Sequence, residues 1–252
     1  MLRVKSFLNF SGGSMGETTF MKINGKHTAR EKVVVNKKRY EKEPRYGRTR
    51  ENSTEFGHAS SSGKTIRSGV NTLLTGCTDS GMVRRLQKEL GRVILSDQTS
   101  ERGKRNIKSG DIKLLLGFNF NIKSRLRGVF NVGYTTQINP EGGELTINIP
   151  SFKPTSAIKP PEGTTHFKIV TAGLAVNFND ITDTTAPVIV ELPLMPWDNN
   201  DTVSFNAVHT LTITTGHSVV MVLGLQFFQE SGKWIDRVKG GSANCLAIVD
   251  AG

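Results

Sequence analysis

The sequence predicts an α+β fold that is mainly β: an N-terminal β-hairpin with a basic arm, one or two helices, and a C-terminal antiparallel β-sandwich, immunoglobulin-like or jelly-roll-like. Three observations predict it: an Asn-Gly pair between two strand-like runs, an amphipathic helical pattern near residue 90, and recurring short β-rich runs after residue 110. The predicted divisions are a hairpin and basic arm at 1–50, a helical segment with a polar linker at 51–110, and a β-sandwich domain at 111–252.

The hairpin is predicted from a strand at Thr18–Ile23, a turn at Asn24-Gly25, and a returning strand at 26–35. Asn-Gly favours the type I′ turn, which needs positive φ at both central positions. The glycine-rich segment 11–16 is predicted to be a flexible turn. A two-stranded hairpin is marginal alone, so it needs a docking surface. The candidate assembly residues of this hairpin are Phe20, Lys22, Asn24, Gly25, Lys26 and Arg30.

Residues 22–50 hold eleven Lys and Arg against three Glu. Segment 36–50 is polar and charged and contains one proline, so it is predicted to be an extended connector. Its cations suit phosphates or an acidic partner, and its two tyrosines suit base stacking. The candidate contacts with nucleic acid or an acidic partner are Lys32, Lys37, Lys38, Arg39, Tyr40, Lys42, Arg45, Tyr46, Arg48 and Arg50.

Two helices are predicted in the middle of the chain. The first spans about 53–74, with Ser53 or Thr54 as its cap, although three glycines weaken its first half. The second follows Asp79, a predicted N-cap, and its apolar stripe is the clearest helical pattern in the chain. The stripe consists of Met82, Val83, Leu86, Leu90, Val93 and Ile94.

Short runs rich in Thr, Val, Ile and Phe follow, separated by Gly, Pro, Asn and Asp, which is typical of an antiparallel sandwich or barrel. The first of these runs has an alternative interpretation as the end of a helix. The predicted strands are 114–120, 129–134, 145–149, 165–170, 174–178, 187–192, 203–213, 219–228, 233–238 and 244–249.

The positive charge is concentrated in the first part of the chain. Residues 1–110 carry 23 basic and 10 acidic side chains, whereas 111–252 carry 10 and 12, for a total of +11. Such asymmetry predicts that the basic region meets nucleic acid, an acidic membrane surface or a neighbouring subunit.

No catalytic or metal-binding pattern stands out. The stretch 57–65 resembles a phosphate-binding loop, but it is one residue too long between its glycines and lacks a preceding buried strand. His209 and His217 flank one β run without a third ligand, and Asp198 and Asp201 lack calcium-loop spacing. The two cysteines are expected to be buried thiols. We therefore expect no enzyme activity, cofactor or metal.

The N-terminus lacks the apolar core of a signal peptide, and the longest apolar run, 219–228, is too short to span a membrane. The sequence predicts cytoplasmic synthesis and no transmembrane segment, and it leaves later incorporation into a virion or released particle open.

A resemblance rests on FSGG at 10–13, Gly16, Phe20, Lys22, NGK at 24–26 and Arg30, with LLLGFNFN at 114–121 and PEGTTHFKI at 161–169. On these motifs the chain resembles uncharacterised small basic Bacteroidota proteins with an N-terminal FSG/NGK hairpin and a β-rich C-terminal half. The resemblance implies a structural or phage-like protein and assigns no site residues.

The sequence thus predicts a structural subunit that self-associates or joins other subunits, in a virion, tail-like particle or filament. Nucleic-acid binding by the basic region is the alternative, and an enzyme is a third class for which no residues can be named.

Overall fold

The computed structural model describes residues 12–23, 25–32, 36–180, 185–214, 216–238 and 243–252. The chain forms two compact units, Met1–Arg50 and Glu51–Gly252. It is mainly β, with an N-terminal hairpin, few helices and antiparallel sheets in the C-terminal half, and this part of the prediction is confirmed.

The first unit contains a three-stranded antiparallel sheet of β1 (Gly13–Met15), β2 (Thr18–Ile23) and β3 (Lys26–Glu31). Ile23 pairs with Lys26, and Gly25 has a φ of +78°, as the predicted two-residue turn requires. Asn24 and residues 33–35 lie outside the described residues. The predicted turn at 11–16 is partly wrong, because Gly13–Met15 pairs with β2 and adds a strand to the hairpin.

The predicted extended connector at 36–50 is wrong. It contains α1 (Lys37–Lys42), a 3₁₀ helix (Pro44–Tyr46) and the start of α2 (Gly47–Gly69). The Asn36 side chain caps α1 by accepting a hydrogen bond from the Arg39 backbone N–H. Opposite charges four residues apart then support the helical turn. The prediction rested on the polar, charged composition and on one proline, but Pro44 begins the 3₁₀ helix, a position that proline tolerates.

The second unit contains the rest of α2, then α3 (Asn71–Leu74) and α4 (Met82–Ser96). Both predicted helices are present, but α2 begins at Gly47 rather than after Ser53 or Thr54. Most of the predicted stripe on α4 is buried, with Val83 exposed. The N-cap position of α4 is Gly81, and the predicted cap, Asp79, instead accepts a hydrogen bond from the Gly81 N–H.

A six-stranded antiparallel sheet forms the centre of this unit. Its longest strands, β6 and β10, pair along eleven residue positions, from Ser218↔Val176 to Phe228↔His166. The strands are β6 (His166–Val176), β7 (Val188–Glu191), β8 (Met195–Pro196), β10 (Ser218–Ser231), β11 (Trp234–Arg237) and β12 (Cys245–Ala251). β6 and β10 are buried on both faces over most of their length, which explains their continuous apolar sequences.

A second, three-stranded sheet has the order β4 (Thr135–Asn139), β5 (Glu144–Phe152) and β9 (Val203–Thr210). β9 alternates between buried and exposed residues along its whole length, so one face meets the core and the other meets solvent. β4 was not predicted from the sequence.

Three layers result in the second unit. One apolar cluster joins α2 and α4 to one face of the six-stranded sheet, and a second joins its other face to the three-stranded sheet. Gly173 allows the two sheets to approach, because a Cβ there would lie 2.8 Å from Leu145 Cδ1 and 3.1 Å from His209 Cβ. The two strands predicted at 165–170 and 174–178 are therefore one strand, β6, that continues through this glycine.

Two predicted strands between the helices and the sheets are wrong. Segment 114–120 begins in a 3₁₀ helix (Ile112–Leu115) and pairs with β12 only at the isolated bridge Asn119↔Ala247. Segment 129–134 follows α5 (Leu126–Val129), and a further short helix, α6 (Pro154–Ala157), follows β5. Phe118 and Phe120 are nevertheless buried, so the apolar residues of the first segment anchor an irregular chain rather than a strand.

Candidate interaction surfaces

The sheet formed by β1, β2 and β3, here called the N-terminal sheet, has no buried residue. None of the described residues between 12 and 50 is buried, and the strands of the sheet are at best half-buried. A small sheet normally gains its stability by covering one apolar face. The strands of this sheet therefore remain exposed or half-buried along their whole length.

Strand register assigns the predicted hairpin residues to two faces. Phe20 and Lys22 pair with Ala29 and His27, so these four residues share one face. Lys26 and Arg30 lie on the opposite face. Gly25 forms the turn, and Asn24 lies outside the described residues.

Acidic neighbours neutralise part of the basic helical segment. Lys37 lies 3.9 Å from Glu41, while Arg39 and Arg45 both pair with Glu43, at 2.5 and 2.6 Å. The hydrogen bond from Arg39 lowers the pKa of the Glu43 carboxyl, which favours its charged form.

The two predicted stacking residues contact each other. The rings of Tyr40 and Tyr46 are 5.7 Å apart, and the Arg45 guanidinium lies 4.8 Å from the centre of the Tyr46 ring. Arg50 donates to the backbone oxygens of Tyr40 and Glu43, at 2.6 and 3.1 Å. These four predicted contact residues thus form one structural cluster, and Arg48 lies nearby in the first turn of α2.

The remaining predicted cations are exposed. Their charged groups make no hydrogen bond or ion pair with any other residue in the described part of the chain. They are Lys22, Lys26 and Arg30 of the sheet, and Lys32, Lys38 and Lys42 beyond it. These six side chains carry the charge that a partner would meet.

The enzyme-like patterns have structural roles. The phosphate-loop-like stretch 57–65 lies inside α2, so its backbone N–H groups serve the helix rather than a ligand. His209 is fully buried: its Nδ1 lies 3.2 Å from the Leu145 oxygen and its Nε2 3.0 Å from Thr171 Oγ1. Burial lowers the pKa of His209, which favours the neutral ring.

The two thiols and the acidic pair Asp198 and Asp201 differ in burial. Cys77 and Cys245 are buried, and burial raises the pKa of each thiol to about 12. Asp198 and Asp201 are exposed. Among the described residues, no three His, Cys, Asp or Glu side chains form a group that could hold a metal ion.

A surface groove between α2 and α4 was not predicted from the sequence. It has a volume of about 510 Å³, and its lining includes Phe56, Ala59, Gly91, Ile94 and Leu95. The signal that could have indicated it is the pair Phe56 and Leu95, large apolar residues outside the buried stripes, which are 64% and 58% exposed.

In the part of the chain that the structure describes, every helix is too short or too polar to cross a membrane. Searches against models of protein families, curated proteins and solved structures find no match to this chain. The resemblance to Bacteroidota proteins stays a prediction.

Proposed function

We propose that this protein is a non-enzymatic structural subunit that acts through homo- or hetero-oligomeric assembly, as a component of a virion, tail-like particle or filament. Its basic N-terminal region engages a neighbouring subunit. The observation that carries this proposal is the N-terminal sheet, three ordered strands in which no described residue is buried.

The side chains of the sheet suit a protein partner. One face presents Phe20 beside Ala29, and the other presents Met21 beside Thr28 and Ile23 beside Lys26. Apolar groups that lie beside Lys22 on one face, and beside Lys26 and Arg30 on the other, match the apolar and charged composition of a protein interface. The charge also favours encounter with an acidic subunit, or with residues 111–252 of another copy, which carry 10 basic and 12 acidic side chains.

Light scattering on the full chain after size exclusion tests the proposal. The wild type is expected to have a mass above that of the monomer that rises with concentration, and Phe20→Asp is expected to shift the distribution toward monomer. Val208→Asp is the control, because Val208 is an apolar strand residue that is exposed and belongs to the sheet of β4, β5 and β9 rather than to the N-terminal sheet. A wild type that is monomeric at every concentration contradicts assembly.

Nucleic-acid binding is the second candidate, favoured by the exposed cations Lys32, Lys38 and Lys42, whose ammonium groups make no hydrogen bond or ion pair with another described residue. Binding to phosphates releases counterions, so the logarithm of the affinity falls linearly with that of the salt concentration. If Lys38 and Lys42 each contact a phosphate of duplex DNA, Lys38→Gln with Lys42→Gln reduces the slope by about 2. An unchanged slope, or no binding to DNA or RNA at low salt, contradicts this alternative.

A further inference from the structure

The groove between α2 and α4 contains an unexplained helix glycine. A glycine in a helix interior costs about 1 kcal/mol relative to alanine, so it usually has a packing reason. Gly63 has one: a Cβ there would lie 3.2 Å from Leu90 Cδ1. At Gly91, in the interior of α4, no atom lies within 4 Å of the Cβ position. Gly57 is equally open, but only Gly91 lines the groove.

An open glycine on the wall of an apolar groove allows another backbone to approach closely. The buried residues Ala59 and Ile94 form the floor of the groove, whereas the larger side chains of Phe56 and Leu95 are exposed beside it. A groove with apolar sides and a small residue between them can bind the apolar face of a helix.

The charge of the groove selects the occupant. Arg84 and Lys88, one turn apart on α4, line the groove and are exposed, and neither has an ion pair with any other described residue. The acidic lining residue Glu55 is buried and accepts a hydrogen bond from the Gly103 N–H at 2.8 Å. The exposed charge at the groove is therefore positive.

We propose that this groove binds an acidic amphipathic helix of another protein. The helix lays apolar side chains against Phe56 and Leu95, passes closest to α4 at Gly91, and places carboxylates beside Arg84 and Lys88. A second copy docking through the same face would oppose like charges, and the N-terminal region of the chain is itself basic. This surface belongs to the second unit and is independent of the N-terminal sheet.

The test uses a labelled amphipathic peptide of about five helical turns, with leucines on one face and glutamates flanking them, and a counterpart with lysine at every glutamate. Fluorescence anisotropy measures its binding to the full chain. We expect the glutamate peptide to bind at least about tenfold more tightly than the lysine peptide. Arg84→Glu with Lys88→Glu is expected to reverse that preference.

Gly91→Leu is the blocking variant. Leucine is a better helix former than glycine and has open space, so the fold is expected to be at least as stable while the groove is filled. Binding of the glutamate peptide is expected to weaken at least about tenfold. Gly57→Leu is the matched control, because Gly57 is also an open helix glycine but does not line the groove, and its binding is expected to match the wild type.

Several outcomes overturn the proposal: no binding of the glutamate peptide at about 0.1 mM, equal binding of both peptides, or undiminished binding by Gly91→Leu. Binding of phosphatidylserine vesicles that Gly91→Leu abolishes, without binding of the peptide, identifies a membrane as the occupant instead. A lower oligomer mass in Gly91→Leu than in wild type identifies a second copy.

Discussion

Replacing Asp79 by alanine is expected to destabilise the second unit. The Asp79 carboxylate connects the start of α4 to Ile122, which follows the 3₁₀ helix Ile112–Leu115. Its two oxygens each accept a hydrogen bond from the Arg85 guanidinium at 2.7 Å. They also accept from the backbone N–H groups of Gly81 and Ile122, at 2.8 and 3.0 Å. The Asp79 side chain is only 8% exposed, so water replaces few of these bonds.

The magnitude follows from these contacts. Two lost backbone hydrogen bonds cost about 1 kcal/mol each, and the charge-assisted pair with Arg85 adds about 1.5 kcal/mol, near the low end because Arg85 is partly exposed. The expected loss is therefore about 3.5 kcal/mol in the free energy of unfolding. With a slope of about 2 kcal/mol/M, the urea midpoint falls by about 1.8 M.

Urea unfolding followed by circular dichroism measures this loss. Hydrogen bonds from Arg85 hold the pKa of Asp79 well below its usual range, so the stabilisation is present above the unfolded pKa of about 3.9 and is lost as pH falls. The difference between wild type and Asp79→Ala should therefore shrink below about pH 4. Glu101→Ala, which removes an exposed ion pair with Lys104, should leave the midpoint unchanged. A loss below about 1 kcal/mol for Asp79→Ala would refute the reasoning.

Three further predictions concern buried groups and glycines. Because burial lowers the pKa of His209, its contribution to stability is full above about pH 6.5 and decreases as pH falls below that value. Urea midpoints of wild type and His209→Gln should show this pH-dependent difference, and parallel profiles would contradict it. Gly91→Ala should raise the free energy of unfolding by about 1 kcal/mol, because the Cβ position at Gly91 is open. Gly224→Ala should lower it by about 2 kcal/mol or more, because a Cβ at Gly224 would lie 2.4 Å from the Cys245 oxygen. Equal urea midpoints of the two variants would contradict this contrast. Cys77 and Cys245 should react with a thiol reagent at pH 8 only after unfolding, and fast labelling of either in the native chain would contradict their burial.

Local patterns predicted part of the fold. The Asn-Gly pair gave the two-residue turn and its register, and the apolar stripe gave α4, because both signals depend on residues near one another in the chain. The short runs rich in Thr, Val, Ile and Phe after residue 110 also predicted antiparallel sheets. None of these local patterns predicts which face of the six-stranded sheet packs against the helices and which packs against the other sheet.

The errors concern residues whose role depends on distant contacts. The gap predicted between strands 165–170 and 174–178 contains Gly173, which instead allows the close approach of Leu145 on the other sheet. Gly63 weakened the prediction of α2, although it faces Leu90 of α4. For segment 36–50, the polar, charged composition and the single proline suggested an extended chain, and the cap at Asn36 was overlooked.

The candidate sites were predicted only in part. Composition located the basic residues, but it could not separate Arg39 and Arg45, which share Glu43, from exposed cations such as Lys38. The groove at Gly91 was missed because its shape requires two helices that are separated in sequence.

Hydrogen–deuterium exchange of the N-terminal sheet at rising protein concentration tests the central claim most directly. If the sheet docks on a neighbouring subunit, the backbone amides of Thr18–Ile23 and Lys26–Glu31 become more protected as concentration rises, while the core strand β10 stays unchanged. Phe20→Asp should remove the dependence on concentration. Protection of the sheet that is the same at every concentration would contradict assembly through this surface.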